Sequence, residues 1–226
     1  MMKNLIAVVC FCWAVIGSAQ ETNEMNVERF SELKVFDGIS VNLIPSDVNK
    51  LVITGEYAEN VVAKNSNGTL KLRLGVTTLF KDHDTSADLY YSGPLSVLDV
   101  NENAKITSKE TLKQVDLELR AQEGGEIQLD VALEILRIKV ISGSTIGVTG
   151  RSTNQEVNVN TGGGYEAGNL ETEQTDVKVN AGGYADIRAS KYVNARVNAG
   201  GNINIYGKPG VIDQTKFLGG TIKEIQ

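Results

Sequence analysis

Apolar and polar residues alternate along most of this chain. FSELKVF (residues 30–36), ISVNL (39–43), LVIT (51–54) and TLKLRL (69–74) all carry apolar side chains at every second place. A period of two turns one face of a strand inward and the other outward. Asn67-Gly68, just ahead of TLKLRL, takes up positive φ readily and predicts a hairpin turn. Tyr57 to Lys64 is the one short stretch that suggests a helix. VTTLFKDHDTS (76–86) reads as a loop.

From residue 95 the alternation becomes periodic. Glycine falls at Gly124, Gly143, Gly162, Gly182, Gly200 and Gly219, about 19 residues apart, a spacing typical of solenoid repeats. Each unit holds an alternating strand, a small-residue corner, a second alternating strand and a polar turn. The first strands are LRIKV (136–140), VNVNT (157–161), VKVNA (177–181) and ARVNA (195–199). The second strands are IQLDV (127–131), ADIRA (185–189) and INI (203–205). The unit at 162–170 keeps the spacing but has a poorly apolar second strand.

A five-residue strand buries too little surface to stand alone. Stacked coils place Val157, Val177 and Ala195 in one inward column and Val159, Val179 and Val197 in the next. Each fully buried Val contributes roughly 1.5–3 kcal/mol. One complete coil supplies the long connection that parallel pairing needs. The Gly-Gly pairs mark corners, and Ala181 and Ala199 are expected to be small for the same reason. The expected fold is all-β: a right-handed parallel β-helix (β-solenoid) over 95–226, preceded by a strand-rich region over 20–94.

The chain begins MMKNLIAVVCFCWAVIGSAQ. Lys3, an apolar run from Leu5 to Ile16 and the small residues Gly17-Ser18-Ala19 predict a signal peptide over 1–19, cut after Ala19. The run of about 12 residues is too short for a spanning helix, which needs roughly 20. Cys10 and Cys12 both fall in this leader and lack the small-residue setting of a lipoprotein cysteine. The mature chain is then free of cysteine, and its stability must come from packing and backbone pairing. The expected place is outside the cytoplasm: periplasm, outer-membrane surface or extracellular space. The net charge of −6 and the lack of any Lys/Arg stripe argue against nucleic acid as a partner.

Few residues suggest chemistry. Asn160, Asn180 and Asn198 recur at one place in the repeat, as a polar ladder for sugar hydroxyls or as stacked amides bonded to each other. Tyr165, Tyr184 and Tyr206, with Tyr90 and Tyr91 upstream, are candidate aromatic platforms for glycans or caps over glycine corners. Asp82-His83-Asp84 holds the only His, but adjacent side chains of an extended segment diverge, so no metal site is expected. Gly182-Gly183-Tyr184-Ala185-Asp186 lacks the third glycine of calcium-binding β-rolls. The Gly-rich corners lack the Lys-Ser/Thr of phosphate loops, and no G-x-S-x-G elbow is present. No cofactor and no catalytic residue is assigned. Lys178, Asp186, Arg188 and Arg196 are spaced as on a solvated face.

FSELKVFDGISVNLIPSDVNKLVITGEYAENV, Gly68-Thr-Leu70-Lys-Leu72, the corner Ile141-Ser-Gly143-Ser-Thr and the closing Ile205-Tyr206-Gly207-Lys208-Pro209 resemble the putative auto-transporter adhesin, head GIN domain family. The resemblance covers nearly all of the mature chain. Where that family commonly has Ser-Gly-Ala-Ser corners, this chain has several Asn-Ala-Gly-Gly or Thr-Gly-Gly-Gly ones. The resemblance implies an exported β-solenoid without established catalytic residues. The expected role is a non-enzymatic envelope module that binds a glycan or protein. A polysaccharide-active enzyme and a purely structural envelope protein are the alternatives. The final GGTIKEI (219–225) either caps the solenoid or pairs with another copy.

Overall fold

A computed structural model describes residues 22–55, 57–75 and 85–225. The leader over 1–19, with its two cysteines, and Asp82-His83-Asp84 lie outside the described residues.

The chain opens with β1 (Thr22–Asn26), β2 (Glu32–Val35), β3 (Ser40–Pro45) and β4 (Lys50–Thr54). The helix suggested for 57–64 is replaced by one 3-10 turn, Ala58–Asn60, and then β5 (Val61–Ser66). The β-branched Val61 and Val62 favour extended backbone. β5 pairs antiparallel with β6 (Thr69–Leu74) around Asn67-Gly68, both at positive φ, as the turn pair predicts. β7 (Ser86–Tyr91) follows, pairing antiparallel with β4 and parallel with β3.

The parallel stack then builds through β8 (Val97–Val100), β9 (Lys105–Ser108), β10 (Leu112–Lys113), β11 (Asp116–Ala121), β12 (Glu126–Val140), β13 (Thr145–Val159), β14 (Gly164–Glu166) and β15 (Leu170–Asn180). It ends with β16 (Tyr184–Ala189), β17 (Tyr192–Asn198), β18 (Asn202–Gly207), β19 (Val211–Phe217) and β20 (Thr221–Glu224). Every pairing from β8 onward is parallel, and successive coils form a solenoid of about seven turns. β2 and β3 pair parallel with β8 and β9 and join the same stack.

Register turns the alternation into a core. Val140, Val159, Val179 and Val197 lie side by side on successive rungs, and Ile138, Val157, Val177 and Ala195 form the neighbouring column. All eight are buried. On the second strands Ile106, Ile127, Ile146, Tyr165, Ala185 and Ile203 form a third column. At the end of the stack the columns turn polar: Gln214 follows Ala195, Lys216 follows Val197 and Glu224 follows Ile205. These residues let water meet the last coil without exposing the apolar interior, as a capping repeat must.

Each corner uses two successive left-handed residues, such as Ala181 (φ 48) and Gly182 (φ 79). Ala181 and Ala199 are exposed, and Glu123, Ser142, Thr161 and Leu218 take the same place elsewhere. Small size is therefore not required there. Close approach falls on the next residue. A Cβ at Gly183 would sit 2.7 Å from Val159 Cγ1 and 3.1 Å from the Gly163 carbonyl oxygen.

Outward side chains pair from rung to rung. Glu118 accepts from Arg120 Nε and Nη2 at 2.9 and 2.8 Å, and Lys139 Nζ lies 2.8 Å away on the adjacent rung. The Arg120 hydrogen bonds, helped by Lys139, hold the Glu118 carboxyl down at about 2, against an ordinary 4.5. A depressed carboxyl pKa stabilises the fold above the unfolded value and loses that effect as pH falls toward the folded one. Glu118→Gln should therefore lower the melting temperature at neutral pH. The gap from the parent should close as pH drops from 4.5 to about 2. A gap constant across that window would remove the ion pair as its cause.

Candidate binding surface

The amide ladder forms, and it bonds to itself. Asn180 Nδ2 donates to Asn160 Oδ1 at 2.7 Å and Asn198 Nδ2 donates to Asn180 Oδ1 at 2.9 Å. The three side chains are half-buried and spend much of their hydrogen-bonding capacity on one another. The same corner position earlier in the stack holds Asn101 and Gln122, which also bond to each other.

The tyrosines separate. Tyr165, a candidate for a glycan platform or a corner cap, is instead fully buried in the Ile146–Ala185 column. Its hydroxyl donates to Gln155 Oε1 at 2.9 Å, and burial pushes its phenol well above the usual range. Tyr184 is 37% exposed, its ring covering Gly164, and it donates to Glu166 Oε1 at 2.8 Å. Burial and then the Glu166 bond raise its pKa to about 12, so it stays a neutral donor. Tyr206 is half-buried against Gly168, with the Arg188 guanidinium 6.0 Å from its ring centroid. Tyr184 and Tyr206 thus cap glycines, Tyr91 is buried, and Tyr90 lies beneath Lys50 at 5.1 Å. Asp186 accepts from Asn204 at 2.8 Å, Arg196 lies 3.3 Å from Asp176, and Arg188 donates to the Gly168 carbonyl at 2.7 Å. Among the described residues no hydrogen bond links any of these groups to the ladder.

A different feature is large enough to hold a ligand. Where each coil bends from its second strand back to the next first strand, small residues recess the surface: Ala132, Gly150, Ser152, Ala189, Ser190 and Gly207. Gly150 holds φ +95, and a Cβ there would run into the Val131 carbonyl oxygen on the preceding rung. Three depressions of about 520, 310 and 380 Å³ share Arg151, Glu171, Thr172 or Ser190 as common walls and join into one open groove across successive coils. Lys113, Ala132, Arg151 and Glu171 are register neighbours, so the groove follows the stacking direction.

The groove floor is tied to the interior. Gln155 takes the place that Leu136 holds one coil earlier, and Thr175 follows it. Gln155 Nε2 donates to Thr175 Oγ1 at 2.9 Å, and Thr172 Oγ1 lies 3.0 Å from Thr175 Oγ1 and donates to the Arg188 carbonyl. Gln155, Thr172, Thr175 and Tyr165 are all buried, and this satisfied network fixes the floor. Neither the network nor the groove is apparent from the sequence. The available signal was a polar residue standing where the repeat asks for Leu. The carboxylates along the groove are mostly engaged: Asp130 accepts from Thr111 and Thr149, and Glu173 lies 2.6 Å from Lys191 Nζ. Among the described residues no group of His, Cys, Asp and Glu is arranged to hold a metal ion.

The fold has solved counterparts. A putative adhesin from Bacteroides fragilis superimposes with a TM-score of 0.81 at 17% identity, covering 92% of this chain and 98% of that one. A putative adhesin from Parabacteroides distasonis gives 0.73 at 20% identity, over 91% and 97% of the two chains. A putative lipid binding protein from the same organism gives 0.68 at 17%, over 92% and 97%. No curated protein matches the sequence. The family model described as "Putative auto-transporter adhesin, head GIN domain" matches residues 29–209, and the chain belongs to that family.

Proposed function

We propose that this protein is an exported, non-catalytic module of the cell envelope that holds an extended glycan in the groove along its coil bends. The groove itself carries the reading: it is open, long and lined by hydroxyls and charged groups, and it crosses several coils on a rigid stack. Thr111, Thr153 and Ser190 suit a ligand rich in hydroxyls. Two observations support a place outside the cytoplasm: the leader-like residues 1–19 and membership in a family described as adhesins.

The test is a glycan array probed with the parent and with Thr153→Trp, whose indole should fill the groove from an exposed position. The parent should bind extended oligosaccharides. The variant should lose binding by about tenfold or more, roughly 1.4 kcal/mol, with its melting temperature unchanged. Asn180→Ala should bind like the parent. Binding that survives Thr153→Trp, or no binding at all, would refute the groove as the site. Reducing or unsaturated ends released from a polysaccharide panel would favour an enzyme instead.

A further inference from the structure

We propose that the groove selects linear polysaccharides that carry carboxylates along their length. This inference rests on the groove being the glycan site. On the sheet faces of the central coils most cations are matched by an acid: Lys105 with Glu126, Arg137 with Asp116, Lys139 and Arg120 with Glu118, Arg196 with Asp176. The groove differs. Among the described residues Lys113, Arg151, Arg188 and Lys208 line it, and none lies within ion-pair distance of a carboxylate. Among the described residues the groove's carboxylates are largely spent, Asp130 on two threonine hydroxyls and Glu173 on Lys191, which leaves Glu171.

Lys and Arg donate and cannot accept. Arg188 spends its Nε on the Gly168 carbonyl, but none of the four has a carboxylate partner, so a ligand for them must bring acceptors, and charged ones give the strongest bonds. Lys113 and Arg151 stand two rungs apart, about 10 Å at the spacing of paired strands. That suits a polymer with a carboxylate on every sugar or every second sugar. An acidic peptide fits less well. The backbone of the groove's coils is already paired rung to rung, so no free edge can take an added strand.

The experiment titrates the full chain by calorimetry with galacturonan, glucuronan and alginate, each beside its own methyl ester, and with poly-glutamate. At least one uronan should bind about tenfold or more tighter than its ester, with the advantage shrinking in high salt. Arg151→Glu and, separately, Lys208→Glu should abolish that preference while the melting temperature holds. Esters that bind as well as the acids would overturn the charge selection and leave the glycan groove standing. Poly-glutamate binding as tightly as the uronans would overturn it in favour of acidic peptides. If neither acids nor esters bind, and the array is also blank, the groove reading falls with it.

Discussion

Replacing Val179 by Asp is expected to remove the single cooperative unfolding transition. Val179 is fully buried and flanked on its rungs by Val159 and Val197, both also buried. Substitution forfeits roughly 1.5–3 kcal/mol of apolar burial. It also places a carboxyl where no cation or donor side chain faces it, at a further cost of several kcal/mol. The sum rivals the total stability of an ordinary domain, about 5–15 kcal/mol. Because solenoid coils depend on their nearest neighbours, β15 to β18 should lose hydrogen-exchange protection first. Lys178→Asp, one residue away on the outward face, should barely move the melting curve. Equal melting of the two variants would show that the inward assignment is mistaken.

The second large effect contrasts two glycines. Both Gly143 and Gly150 hold positive φ, at 70° and 95°. An added methyl at Gly143 meets nothing within 4 Å, whereas at Gly150 it meets the Val131 carbonyl oxygen, which is backbone and cannot swing aside. Gly143→Ala should cost only the left-handed strain, roughly 1–2 kcal/mol. Gly150→Ala adds a steric conflict between rungs and should cost about 3 kcal/mol or more, or roughly 6–12 °C in melting temperature for a chain of this size. Since Gly150 also lines the groove, its variant should weaken glycan binding as well. If both substitutions lower the melting temperature equally, strand approach at Gly150 is not the constraint.

The strands were legible because an alternation with period two survives in a single sequence, as in VNVN, VKVN and ARVN. The solenoid was legible because glycine returns at a nearly constant interval. The corner logic was only half visible. Glycine advertises the turn, but sequence does not say which residue of the turn touches the column behind it; that place belongs to Gly183, and Ala181 faces water. Tyr165 was misplaced for a related reason. Its corner has three glycines (162–164) where the next has two (182–183), so Gly164 pairs with Tyr184 and Tyr165 slips one place inward beside Ala185. One residue of register reverses the face of a strand. The groove was invisible in sequence because it arises from small residues on separate coils, Ala132, Gly150, Ala189 and Gly207, which share nothing in the linear order.

The stacking itself is tested most directly by distances along one outward column. Lys139, Asn158, Lys178, Arg196 and Thr215 are successive register neighbours. With Cys10 and Cys12 replaced by Ser, spin labels are placed at Lys139 paired in turn with Lys178, Arg196 and Thr215, and the spacings are read by electron paramagnetic resonance. Piled coils predict separations that climb by about 5 Å per rung, from roughly 10 to roughly 19 Å. Separations that do not rise in that order, or that scatter broadly, would contradict the stack on which the groove depends.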